Sequence, residues 1–311
     1  MHRRRWWPIA LPPLAGGAGW LTAHLRSPAV RAWRRPSLPA GRAGRLFTRM
    51  GGEGHFGVLL LHGLVATGDV FAVTADEMAA HHRVAVPDLA GFGRSLDQSA
   101  TDFGTEAHLA ALEAVIDEVL GERPLLIGAH SLGSTLALRL ADRMAERVER
   151  VVCVGAPIWS DPRAAVGAAG PMARALLLDE RVAARACRWM CRHRRAGGWL
   201  AAAAAPRWPI PIARQASLHT WPAYQQTMQH QVLDVDWPTL LTTVGHHGVR
   251  VTLAWGRDDT IGDPSYAQGL VERLDTIDIE IITGADHTAP TARPELLAAR
   301  LRGSPPGRRL G

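Results

Sequence analysis

Three cysteines among 311 residues are too few, and odd in number, to imply a disulfide framework. Cys153 falls in the apolar run Val151-Val152-Cys153-Val154 and reads as a small core residue. Cys187 and Cys191 are four apart with His193 close by, but a further ligand at metal-site spacing is missing, so neither a metal nor a cofactor is expected. No apolar stretch is long enough to span a membrane: the run from Trp6 to Leu14 is short and broken by Pro8, Pro12 and Pro13. No clear Ala-x-Ala cleavage site follows it. There is no internal repeat, and only Ala201 to Ala205 is of low complexity. The formal net charge of +6 comes without any nucleic-acid-binding motif, so nucleic acid is discounted as a partner.

What is present is ordinary for a soluble globular chain with a sizeable core: 47% hydrophobic and 21% charged residues, rich in Ala and Arg. Basic residues crowd the N-terminus (Arg3, Arg4, Arg5, Arg26, Arg31, Arg34, Arg35) and the stretch from Arg181 to Arg195, where solvated surface is the plainer reading. Residues 1–44 read as an extension, poorly ordered or short helical, and 303–311 as a disordered tail. A cytoplasmic location is expected; the basic-apolar N-terminus leaves export or loose membrane attachment as the alternative.

Between these ends, apolar strand-like runs alternate with helical periodicity, which predicts a mostly parallel sheet with helices on both faces. Val58 to Leu61, Arg83 to Val86, Leu125 to Gly128, Val148 to Val154, Val249 to Trp255 and Ile277 to Ile282 read as strands; a first one is expected at Arg45 to Arg49. Asp69 to Ala80, Thr105 to Leu120 and Leu132 to Ala145 read as helices. The most informative stretch is Ala129-His130-Ser131-Leu132-Gly133. It joins a strand to a helix, and a serine between small residues on such a turn is a nucleophile elbow. The turn is tight, which is why Ala129 and Gly133 are small. An aspartate pair, Asp258-Asp259, and then His287 follow later strands, so Ser, acid and His appear in one of the known convergent orders.

These segments together closely resemble the α/β-hydrolase superfamily: Leu60-Leu61-His62-Gly63, Pro87-Asp88-Leu89-Ala90-Gly91-Phe92-Gly93-Arg94-Ser95, Gly128-Ala129-His130-Ser131-Leu132-Gly133, Trp255-Gly256-Arg257-Asp258-Asp259 and Gly284-Ala285-Asp286-His287. They span residues 45 to 302 in the family's order. Ala129 stands where many members carry Gly and keeps the position small. The resemblance implies Ser131 as nucleophile, His287 as base and Asp259 as the acid, which follows the Gly of its loop by three positions. Asp258 is the adjacent rival, and Asp161 a third option after the preceding strand. It also implies an oxyanion hole from the backbone N–H groups of Leu132 and of Leu64 or Val65. His62 reads as a loop-shaping histidine, His130 as structural, and the pairs His81-His82 and His246-His247 as surface.

The alternation stops from 158 to 245, where many members of the superfamily carry a helical cap. The expected domains are therefore a core of 45–157 and 246–302 with a cap at 158–245. Trp159, Trp189, Trp199, Trp208, Trp221 and Trp237 lie there; Val65, Trp159 and Trp221 are candidate pocket residues. A serine nucleophile fits cleavage of a carboxylic ester or related acyl bond of a small apolar substrate. A carbon–carbon bond hydrolase of aromatic ring-cleavage products is the alternative enzyme, and a non-catalytic ligand binder the alternative of another class. Oligomeric state is not legible.

Overall fold

A computed structural model describes residues 17–168 and 179–303. The basic run Arg3 to Arg5, the apolar run to Leu14 and most of the C-terminal tail lie outside the described residues. Eight strands form one sheet: β1 (Ala40–Ala43), β2 (Leu46–Gly51), β3 (Gly57–Leu61), β4 (Arg83–Pro87), β5 (Leu125–His130), β6 (Val148–Val154), β7 (Arg250–Gly256) and β8 (Ile277–Ile282). Their order is β1-β2-β4-β3-β5-β6-β7-β8. β1, β2 and β4 pair antiparallel, and every pairing from β4 through β3 to β8 is parallel.

The parallel strands read as continuous apolar runs because both of their faces are covered. Side chains alternate between two layers with the period of two that a strand imposes. Leu59, Leu61, Ile127, Ala129 and Leu253 join one buried cluster, and Val58, Leu60, Leu126, Val152 and Ala254 join the other. Leu59, Leu60 and Leu61 are all fully buried, each stabilising the fold by roughly 1.5–3 kcal/mol relative to exposure.

The sheet begins earlier than the sequence suggests. Ala40–Ala43 pairs with β2 through Ala40–Arg49 to Ala43–Leu46, inside the stretch read as an extension. Ahead of it, residues Gly17–Arg26 and Pro28–Ala32 are helical. His24 Nδ1 lies 2.9 Å from the Pro206 carbonyl, and Ser27 Oγ donates to the Arg207 carbonyl, so this segment is fastened to the far part of the chain.

Residues 158–245 contain no strand among the described residues. Helices span Pro162–Ala168, Glu180–Arg192, Arg194–Ala204, Ile210–Ala213, Trp221–Met228 and Trp237–His246. Local chemistry sets their starts. Asp179, Thr220 and Asp236 each cap a first turn through the side chain, and Pro222 and Pro238 occupy early positions that need no N–H. The insertion is tied to the core by polar side chains. Gln226 Oε1 accepts from Phe103 N at 2.8 Å, Gln231 Nε2 donates to Thr105 Oγ1 at 2.9 Å, and Thr135 Oγ1 donates to the Gln231 carbonyl at 2.8 Å.

Candidate active site

Ser131 lies between β5 and the helix Gly133–Arg143. Its backbone is left-handed, with φ of 53°, a conformation that costs a non-glycine residue about 1–3 kcal/mol. Hydrogen bonds hold it there: Ser131 N donates to the Val154 carbonyl at 2.8 Å and Ser134 N to the Ser131 carbonyl at 2.9 Å. A Cβ on Gly133 would meet the Leu61 carbonyl oxygen at 2.4 Å, so the helix can start this close to β3 only without a side chain.

The loop after β3 closes on the serine. The Gly63 backbone comes so near that a Cβ there would lie 2.9 Å from the Ser131 Cβ. Val65 in the same loop is also left-handed, with φ of 50°, which is rarer still for a β-branched residue. The loop is fixed by His62. Its Nδ1–H donates to the Gly63 carbonyl at 2.8 Å and its Nε2 accepts from Leu89 N at 2.8 Å. Burial pushes this imidazole's pKa down, so it stays neutral in that tautomer. The Leu64 and Leu132 N–H groups make no hydrogen bond within the turns and loops of the described residues.

Asp259 follows β7 and His287 follows β8. His287 Nδ1 lies 3.1 and 3.0 Å from the two Asp259 carboxylate oxygens. The carboxylate is fully buried and also accepts from Ile261 N at 2.8 Å; the imidazole is 28% exposed. Burial alone would disfavour charge on the ring, but the Asp259 charge and hydrogen bond, with Asp286 beyond, outweigh it and raise the His287 pKa. Of the other acids considered, Asp258 is exposed at the loop surface, and Asp161 is exposed and caps its own helix through Ala164 N. Neither meets the histidine.

Leu64, Val65 and Trp159 pack on the cluster that holds Leu132. Trp221 stacks on Tyr224 with ring centroids 6.0 Å apart. Trp237 is buried, while Trp189 and Trp199 are exposed and Arg214 lies over the Trp199 ring. The arginines at 181, 185, 188, 192 and 195 are exposed. His81, His246 and His247 are at the surface, whereas His82 is half-buried.

Four residues with a place at this centre carry no strong sequence signal. Gly155, just after β6, has φ of 64°, and a Cβ on it would lie 2.9 Å from both Asp259 Oδ2 and His287 Nδ1. His130 donates from Nε2 to the His287 carbonyl at 3.0 Å, and the two rings lie 4.5 Å apart. Trp208 from the insertion approaches the His130 ring to 6.0 Å. Arg207 Nη1 pairs with Asp286 Oδ2 at 2.7 Å, beside the histidine. A glycine after a strand reads as a plain turn, and the other three depend on contacts between distant segments. His193, expected near the cysteines, instead turns back to the Trp189 carbonyl; the imidazole that meets Cys187 is His219.

The groups at the centre thus stand at the C-terminal ends of five neighbouring parallel strands, β3, β5, β6, β7 and β8, where ligands of open α/β sheets gather. Residues 58–287 match the family model described as alpha/beta hydrolase fold.

The chain belongs to the alpha/beta hydrolase fold family.

Within that family it is similar to a protein named probable lysophospholipase BODYGUARD 5 from Arabidopsis thaliana, 22% identical over 78% of this chain and 60% of that protein. It is also similar to 2-hydroxy-6-oxo-2,4-heptadienoate hydrolase from Pseudomonas putida, 33% identical over 32% of this chain and 37% of that one. The chain therefore spans less than two thirds of the length of these two relatives. Bromoperoxidase from Bacillus anthracis shares the fold with a TM-score of 0.65 at 16% identity, covering 85% of this chain and 98% of that one. No helix among the described residues is long and apolar enough to cross a membrane.

Proposed function

We propose that the chain is a serine hydrolase that cleaves a carboxylic ester, or a related acyl bond, of a small apolar substrate through an acyl-enzyme. The observation that carries this reading is the buried Asp259 carboxylate on His287 Nδ1, at the same edge of the sheet as the left-handed Ser131, which follows β5 with β6 between that strand and β7. Asp259 fixes the tautomer, so Nε2 is the nitrogen free to take the Ser131 hydroxyl proton as Oγ adds to the carbonyl carbon. The Leu64 and Leu132 N–H groups hold the oxyanion, helped by the N-terminus of the helix behind the serine. His287 then protonates the leaving alcohol. Water, deprotonated by the same nitrogen, attacks the acyl-enzyme and frees Ser131. Val65 and Trp159 line the acyl side, with Trp221 further out on the insertion. No cofactor or metal enters these steps.

A fluorophosphonate probe tests the assignment. Labelling should map to Ser131 and be lost in His287→Ala; an unlabelled Ser131 in folded protein, or label elsewhere, overturns it.

A second reading, carbon–carbon bond hydrolysis of a ring-cleavage product, is favoured by the relative from Pseudomonas putida named 2-hydroxy-6-oxo-2,4-heptadienoate hydrolase, whose named substrate is an acidic dienone. Turnover of acidic dienones in preference to simple aryl esters would select it.

A further inference from the structure

Cys187 and Cys191 stand one turn apart on the helix Glu180–Arg192, so both thiols point to one face. Their sulfurs are 3.7 Å apart, and His219 Nε2 lies 3.0 Å from the Cys187 sulfur. All three atoms fall within 4.8 Å of one another. Cys187 and His219 are buried and Cys191 partly so.

The imidazole is arranged as a ligand. His219 Nδ1–H donates to the Ala216 carbonyl at 2.9 Å, which leaves the Nε2 lone pair directed at the sulfurs. A metal-bound histidine has its other nitrogen held in this way. Tetrahedral Zn²⁺, with bonds of about 2.3 Å to sulfur and 2.0 Å to nitrogen, sets two sulfurs about 3.8 Å apart and sulfur from nitrogen about 3.5 Å. The sulfur pair already stands at that separation; Cys187 and His219 need to part by about half an ångström.

We propose that Cys187, Cys191 and His219 form a Zn²⁺ site within the insertion, with a fourth position open to water. Two thiolates and one imidazole are soft and borderline donors, which suit Zn²⁺ and exclude Mg²⁺ and Ca²⁺. Binding replaces the Cys187 thiol contact with Nε2 and the Cys191 thiol bond to the His219 carbonyl, and releases two protons to solvent. The ion joins two separate pieces of the insertion. One is the Glu180–Arg192 helix. The other is the segment around His219, which is itself bonded to the core: Gly93 N donates to the Leu218 carbonyl at 2.7 Å, Phe92 and His219 form a β-bridge, and their rings stack. The metal would clasp the insertion to the loop after β4.

The test reads metal rather than turnover, so it is independent of the Ser131 assignment. Full-length protein, stripped with a chelator and kept reduced with a phosphine, is titrated with Zn²⁺ against a chromophoric chelator, and with Co²⁺ by absorption. The wild type should bind one equivalent, show a thiolate-to-cobalt charge-transfer band and melt at higher temperature with Zn²⁺. Cys187→Ser, Cys191→Ser and His219→Ala should each weaken binding by more than the roughly 10- to 100-fold that losing an outer partner costs. His193→Ala and Cys153→Ala should bind as the wild type does. Cys191 is partly exposed, so its serine variant keeps the test valid if the buried positions do not tolerate change. Absence of stoichiometric binding by folded wild type, a cobalt spectrum without the thiolate band, or binding retained in Cys191→Ser overturns the proposal.

Discussion

Gly155 packs directly against His287: any side chain at this position would put its first carbon 2.9 Å from the ring nitrogen that faces Asp259. The left-handed φ of 64° adds a second reason for glycine. Gly155→Ala should therefore push the Asp259–His287 pair out of register. A displacement on this scale costs on the order of 10²-fold in kcat. Ester turnover measured beside the thermal midpoint checks it; normal kcat in the folded variant would contradict the contact.

With His287 as the proposed base, its raised pKa should set the acid limb of the pH profile. The base works only when neutral, so kcat/KM should fall as pH drops through a midpoint above the ordinary 6.5. Asp259→Asn removes the principal raising influence. Burial then dominates, the midpoint moves down, and kcat falls on the order of 10⁴-fold from loss of the correct tautomer. A midpoint that stays in place would show that Asp259 is not the partner felt by the ring.

His130 acts on the centre through the backbone of His287, by one hydrogen bond from its Nε2. Its own ring is neutral, since burial and the neighbouring His287 charge push its pKa far down. His130→Phe keeps the ring volume and removes the donor. The expected loss is that of one such bond, about 0.5–1.5 kcal/mol, or about 2- to 13-fold in kcat with KM little changed. Equal damage to KM would place His130 in substrate binding instead.

Arg94 closes a buried charge network after β4. Its guanidinium pairs with Asp88 at 2.7 Å and Asp69 at 2.9 Å, carboxylates that are 0% and 7% exposed. Gln215 of the insertion donates to the same Asp69 at 2.8 Å. Arg94→Met should destabilise the fold by about 3–5 kcal/mol, because two buried carboxylates lose their shared counter-ion. Burial alone would raise the Asp69 pKa, but Arg94, Gln215 and Arg49 bring it below its ordinary 3.8. Its stabilisation is thus complete above that value and lost as pH falls through the lower folded one. Urea midpoints across acid pH, compared between wild type and Asp69→Asn, measure that contribution.

The parallel strands are legible because burial on both faces leaves an unbroken apolar run, as in Gly57–Leu61. β1 is not, because Ala40-Gly41-Arg42-Ala43 is a short edge with no β-branched residue. The resemblance prefers Asp259 to Asp258 by its spacing from Gly256; in the structure the Asp259 N–H donates to the Gly256 carbonyl and its carboxylate meets His287. Arg207, Trp208 and His219 are unreadable for a different reason. Their partners, Asp286, His130 and Cys187, lie in segments that only tertiary packing brings near.

β6 and β7 run parallel, so the chain leaves the sheet after Val154 at one end of β6 and rejoins it at Arg250, which pairs with Arg150 about 13 Å back along that strand. Such a segment is a crossover that must run back the length of the strand, and beyond that span the entropic cost of closure grows only slowly with its length. It can be exchanged for a shorter or differently shaped segment while Ser131, Gly155, Asp259 and His287 keep their anchors in the strands. Under the proposed function, which molecules reach the serine and what is done to them are thus written on separable lengths of chain, and a graft between relatives must match both ends of that crossover.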